Sequence, residues 1–286
     1  MLDREESIEQ AYFFRVLRER LPENMPLQDL LAQLRQEVLA TTKLPMAIDF
    51  LLSELKLTGL ISSAMKRLAH YFRPFQTYLV SEAENDRSRF DMRVALEVLE
   101  KEADYRAKEH TPAGVFLYQF ETICRNRLRY DHGLDAVAAD PLYDDTWRGW
   151  IQTVRRQIGL LDLADMMYVA SEHYDTQQAR LRRTTEKADR PVLFGEKEGQ
   201  IALANRRKDP LYLFAALQRH LGYPRVPRGQ KFNENRDLVP QLMRRLERIE
   251  TRLKLMEEEQ REGIDITRFY NPKSPPIPPV EWDKEN

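Results

Sequence analysis

Apolar side chains recur at steps of three and four along most of this chain, the spacing that lines up one face of an α-helix. Phe13, Val16, Leu17 and Leu21 open the series before Pro22; Leu27, Leu30, Leu31 and Leu34 repeat it, and Val38 ends it. Further helices are expected from Pro45 to Lys56 and from Thr58 to Phe72. Pro74 then suits the first turn of another, where the N–H it lacks would have no partner anyway. The clearest pattern is TPAGVFLYQFETICRNRLRYDHG. Thr111 reads as its N-cap, Pro112 as its first residue and Gly133 as its stop, with Phe116, Leu117, Phe120, Ile123, Cys124 and Leu128 on one face. Trp147, Trp150, Ile151, Val154 and Ile158 mark the next helix, and LLDLADMMYVASEHY, apolar on several sides, is expected inside the bundle.

The pattern changes near residue 185. RPVLFGEKEGQIALANRRKDP holds two short apolar runs around a charged, glycine-bounded GEKEG, which predicts a β-hairpin. Asp209 and Pro210 open a helix through Phe214, Leu217 and Leu221, and Gly222 closes it. YPRVPRGQKFNEN reads as a linker, and NPKSPPIPPVEWDKEN as an extended or disordered tail with PxxP spacings. The fold class is therefore mainly α: a multi-helix bundle body with a short β-hairpin and a C-terminal coiled-coil helix. Its divisions are a helical body over 1–184, a basic hairpin-plus-helix segment over 185–232, a coiled-coil helix over 233–262 and a proline-rich tail over 263–286.

Between the linker and the tail lies VPQLMRRLERIETRLKLMEEEQ, residues 239–260. With Val239, Leu246 and Leu253 at heptad positions a, positions d fall on Leu242, Ile249 and Met256. Arg245 and Arg252 then sit at g, and Glu250 and Glu257 at e. In a parallel pair each g residue meets the e residue of the following heptad on the other chain. Arg245 thus faces Glu250, and Arg252 faces Glu257. The flanks predict a homo-oligomer through a parallel coiled coil, its number left open because leucine at a with isoleucine at d can favour more than two strands. Met243 and Leu255, outside the seam, are what a helix lying on the body would use instead.

Composition supports long helices: 32% of the 286 residues are charged, 42% hydrophobic, and only ten are glycine. Cys124 is the sole cysteine, which excludes an internal disulfide and a multi-cysteine metal site. Its place on an apolar helix face reads as a buried thiol rather than a nucleophile. The start MLDREESIEQ lacks the plan of a signal peptide, and no apolar run approaches the roughly 18 residues that span a bilayer. A cytoplasmic location without a membrane partner is expected.

Catalytic signatures are missing. His70, His110, His132, His173 and His220 form no HExxH, and there is no glycine-rich phosphate loop and no GxSxG elbow. No catalytic residue, cofactor or metal ligand is assigned. The acidic block at Glu82, Glu84 and Asp86, beside Arg87 and Arg89, is polar on nearly every side and reads as a solvated face. Arg125 and Arg129 lie near a helix C-terminus, where cations suit the dipole; an anion site is the sharper alternative.

Charge is unevenly spread. Between Gln177 and Phe232 thirteen cations face five anions, a net +8 in a chain of net charge −1. Arg206, Arg207, Lys208, Arg225 and Arg228, with Arg125 and Arg129, are the candidates for anion or nucleic-acid contact. The bland alternative is that this region faces acidic segments of its own body at 3–9 or 97–105. No nucleic-acid module matches, and prolines and glycines at 222–229 separate these cations from the heptads, unlike a bZIP protein. The expected function is a non-enzymatic, self-associating helical scaffold or adaptor that binds an unidentified protein partner. The alternatives are a dimeric nucleic-acid-binding protein using 177–232, and an enzyme whose helical-bundle site lacks short motifs.

Overall fold

The computed structural model describes residues 2–21, 25–85, 90–182 and 190–229, together with Leu246, Glu247, Ile249, Glu250, Thr251 and Leu253. The described chain is mainly helical. Its first half runs through α1 (Arg4–Arg20), α2 (Leu27–Glu37), α3 (Leu44–Thr58), α4 (Ile61–Arg67), α5 (Pro74–Glu84) and α6 (Met92–Arg106). The second half follows with α7 (Pro112–Arg125), α8 (Tyr130–Ala138), α9 (Asp145–Gln157), α10 (Leu163–Val169), α11 (Glu172–Arg182), α12 (Glu196–Ala204) and α13 (Pro210–Leu221). No helix among the described residues is long and apolar enough to cross a membrane.

The core is built around α7. Thr111 Oγ1 accepts from the Gly114 N–H at 3.0 Å and Pro112 starts the helix, so its N-terminus forms as the local sequence dictates. Val115, Phe116, Leu117, Tyr118 and Ile123 are then inaccessible to solvent, and so are Gln119 and Thr122. A helix buried all round must hydrogen-bond its polar side chains internally. Gln119 Nε2 donates to Glu102 Oε1 at 2.8 Å, and its Oε1 accepts from Tyr143 at 3.2 Å. Tyr223 donates to Glu121 Oε2 at 2.9 Å. The most extensive helix pairing joins α1 to α6, where Arg18 lies 3.3 Å from Glu100.

Tertiary packing corrects four expectations. The helix after Thr111 does not run to Gly133. It ends at Arg125; Arg127, at φ 53°, turns the chain, and Gly133 lies inside α8. A Cβ there would meet Ile123 Cδ1 at 2.8 Å, so the glycine allows close approach rather than a stop. The expected helix from Thr58 to Phe72 is only α4, because Gly59 at φ 69° ends α3 and turns follow Arg67.

The expected β-hairpin is not found among the described residues. Among the described residues the β pairing is limited to isolated bridges, Ile158 with Leu161 and Ser171 with Phe194. GEKEG instead starts α12: Gly195 takes the N-cap position, and Glu196 and Glu198 occupy the first turn, where the helix dipole favours acids. Gly199, which reads as a turn residue in sequence, packs against α11. A Cβ on it would lie 2.3 Å from Ser171 Oγ.

Nor is the acidic block wholly a solvated face. Glu82 is 3% exposed and accepts from Arg129 Nε at 2.8 Å. Glu84 accepts from the Ile61 and Ser62 N–H groups at 2.6 and 3.0 Å, satisfying the start of α4 from the end of α5. Asp86, Arg87 and Arg89 lie outside the described residues.

Candidate functional site

A cleft of about 560 Å³ lies among α9, α10, α11 and the extended residues before α12. Local sequence sets its floor. Asp162 caps α10, its Oδ1 accepting from the Ala164 N–H at 3.2 Å, and α10 ends at Val169. Residues 190–194 then pair with the α10–α11 turn: the Leu193 and Phe194 N–H groups donate to Ala170 O at 2.9 and 3.1 Å, and the Glu172 N–H to Phe194 O at 2.9 Å. Phe194 anchors this segment, its ring 5.4 and 5.1 Å from those of Trp147 and Trp150.

Two tyrosines and two arginines form one wall. The Tyr168 and Tyr174 rings meet edge to face, centroids 5.1 Å apart. Arg190 Cζ lies 4.7 Å from the Tyr174 centroid, and Arg206 Cζ lies 5.6 Å from that of Tyr168. Both arginines are within cation–π reach, yet their charges are not equivalent. Arg206 pairs with Asp165 through Nε, whereas among the described residues no carboxylate pairs with Arg190. The turn that delivers Arg206 is fixed by Arg207, at φ 59°, whose N–H donates to Asp162 Oδ2 at 3.0 Å. One carboxylate thus caps α10 and pins the loop after α12.

Of the seven cations singled out in sequence, three are bound to carboxylates: Arg125 to Glu121, Arg129 to Glu82 and Arg206 to Asp165. Arg207, Lys208, Arg225 and Arg228 are exposed. Pro227 O accepts from Asn126 Nδ2 at 3.2 Å, so the segment holding Arg225 and Arg228 crosses the C-terminal end of α7 beside exposed Arg127. The acidic segments 3–9 and 97–105 are engaged elsewhere. Glu6 and Glu9 accept from the Lys43 and Leu39 N–H groups at 2.7 and 2.9 Å. Glu97 lies 2.7 Å from Lys101, and Glu102 pairs with Arg106.

Of the heptad residues, Val239, Leu242, Arg245, Arg252, Met256 and Glu257 lie outside the described residues. Leu246, Ile249, Glu250 and Leu253 are helical, and the three apolar ones are 56%, 53% and 52% exposed. Burial pushes the Cys124 thiol up to about 11, and the Tyr130 hydroxyl hydrogen-bonds its sulfur at 3.0 Å. No cluster among the described residues could hold a metal ion.

The cleft itself is absent from the sequence reading. Tyr168 and Tyr174 stand six positions apart on two helices, and Arg190 comes from a third segment, so no periodicity links them. The one legible signal is the paired Trp147 and Trp150, which reads in sequence as core. Neither a family model, nor a curated protein, nor a solved structure matches this chain.

Proposed function

We propose that this chain is a self-associating helical scaffold or adaptor that binds other proteins. The observation behind this reading is the helix carrying Leu246, Ile249 and Leu253, each more than half exposed at steps of three and four. An apolar stripe of that spacing gains free energy when a second helix covers it, about 25 cal/mol per Å² of apolar surface buried. The proposed cover is a second copy, because Arg245 and Arg252 at g complement Glu250 and Glu257 at e of a parallel partner. Exposed ion pairs contribute only about 0.2–1 kcal/mol each, so the apolar seam carries the affinity and the charges set the register. The test is Leu246→Lys with Ile249→Lys, compared with the parent by light scattering at matched concentration. A folded variant of lower mass supports self-association; a parent that is monomeric at micromolar concentration ends the idea.

A second reading, nucleic-acid binding, draws on Arg207, Lys208, Arg225 and Arg228, which are exposed and have no carboxylate partner among the described residues. Their guanidinium and ammonium groups are available to phosphates, unlike those of Arg125, Arg129 and Arg206.

A further inference from the structure

We propose that the cleft beside Arg190 is a binding site for a small monocarboxylate with an apolar acyl or aryl body. Its volume of about 560 Å³ lies within the range of ligand sites, roughly 300–1,000 Å³. Trp150, Met166, Leu161 and Val169 supply apolar lining, and Thr153 and Gln157 add the few uncharged polar groups. Leu161 and Val169 are 48% and 40% exposed, so apolar surface faces water in the cleft as it stands. A ligand body covering them recovers that hydrophobic free energy.

The polar anchor fixes the charge of the ligand. Arg190 reaches the cleft with its guanidinium over the Tyr174 face and without a carboxylate partner among the described residues. A planar guanidinium stacked on an aromatic ring keeps its N–H edge free, and that edge matches the two oxygens of a carboxylate. Stacking also restrains the side chain beforehand, which reduces the entropy lost on binding. Only one negative charge is accommodated. Arg206 and Asp165 on the lining neutralise each other, so Arg190 is the one cation of the lining left to balance an anionic group. A neutral ligand would leave Arg190 uncompensated beside apolar surface, and a dianion would bring a second charge that no further cation of the lining balances. None of the described residues between 246 and 253 lines the cleft, and its binding does not depend on self-association.

The test uses the full chain with decanoate and 2-naphthoate as probes, measured by isothermal titration calorimetry, and decan-1-ol as the uncharged comparison, followed by tryptophan fluorescence. Saturable one-to-one binding of either acid is expected, with decan-1-ol at least tenfold weaker; the acid that binds tighter assigns an acyl or an aryl body. Arg190→Gln should weaken the acids about tenfold and leave decan-1-ol unchanged. Val169→Trp, which fills the cleft from a partly exposed position, should abolish binding of all three. Thermal melts identify any variant that fails to fold, and the comparison of acid with alcohol on the parent alone still decides the matter. No saturable binding of either acid at millimolar concentration overturns the proposal. So does equal affinity for acid and alcohol, or full affinity in folded Arg190→Gln or Val169→Trp.

Discussion

Arg106 Nη2 lies 2.8 Å from Glu102 Oε1, and both side chains are shut off from solvent, at 2% and 0% exposure. The same guanidinium pairs with buried Asp140, and Arg73 is buried nearby. Two cations and two carboxylates therefore share one interior between α5, α6 and the end of α8. Burial works against the charge on Arg106, but Glu102 and Asp140 outweigh it and hold its guanidinium above the usual range. Arg73 has weaker partners: burial, then the charge of Arg106, push it down to about 10. Arg106→Met should cost about 3–5 kcal/mol in urea unfolding, because two carboxylates remain buried without their cation. Adding Glu102→Gln and Asp140→Asn should recover at least half of that loss. A single variant within about 1 kcal/mol of the parent would contradict this account.

Alkaline pH should destabilise the fold. Burial raises the phenols of Tyr71, Tyr118, Tyr143 and Tyr223 above their ordinary 10.0, and those of Tyr78 and Tyr130 likewise. A group whose folded value is raised gives its full stabilisation below the unfolded value and loses it as pH climbs toward the folded one. The urea midpoint should therefore hold up to about pH 9 and fall between about pH 10 and 12. Absorbance at 295 nm checks the cause: these tyrosines should ionise together with unfolding, and ionisation well before unfolding would refute it.

Gly199→Ala separates two readings of one glycine. In an exposed helix interior the change would stabilise by about 1 kcal/mol. Here the new Cβ would lie 2.3 Å from Ser171 Oγ and 2.6 Å from His173 Cβ. Overpacking of this kind costs about 1–3 kcal/mol, so the net effect should be destabilising. A higher melting temperature in Gly199→Ala would show that α11 and α12 are not packed this closely.

Under the nucleic-acid reading, polyanion binding should depend on the exposed cations. Replacing Lys208, Arg225 and Arg228 by glutamate should weaken retention on heparin and flatten the slope of log affinity against log salt, by about 1 for each phosphate left without its cation. Arg125→Ala should instead act on stability, since its partner Glu121 is buried and also accepts from Tyr223. Equal salt slopes in parent and triple variant would exclude the basic surface as a nucleic-acid interface.

What the sequence determined alone is the set of features fixed within a few residues of chain. Thr111 caps α7, Pro74 and Pro210 open α5 and α13, and Gly222, at φ 68°, ends α13, because each acts on backbone groups one to four positions away. The apolar period likewise placed Phe116, Leu117, Phe120 and Ile123 in the core. Only tertiary structure decided the rest. The glycine of a turn and the glycine of a close approach are the same residue, and the packing of a neighbouring element chose between them at Gly133 and Gly199. Glu82 reads as solvated until Arg129, forty-seven positions on, meets it. The cleft draws Trp150, Tyr174, Arg190 and Arg206 from separate segments. Periodicity reports which face of an element is buried, but not which other face it will meet.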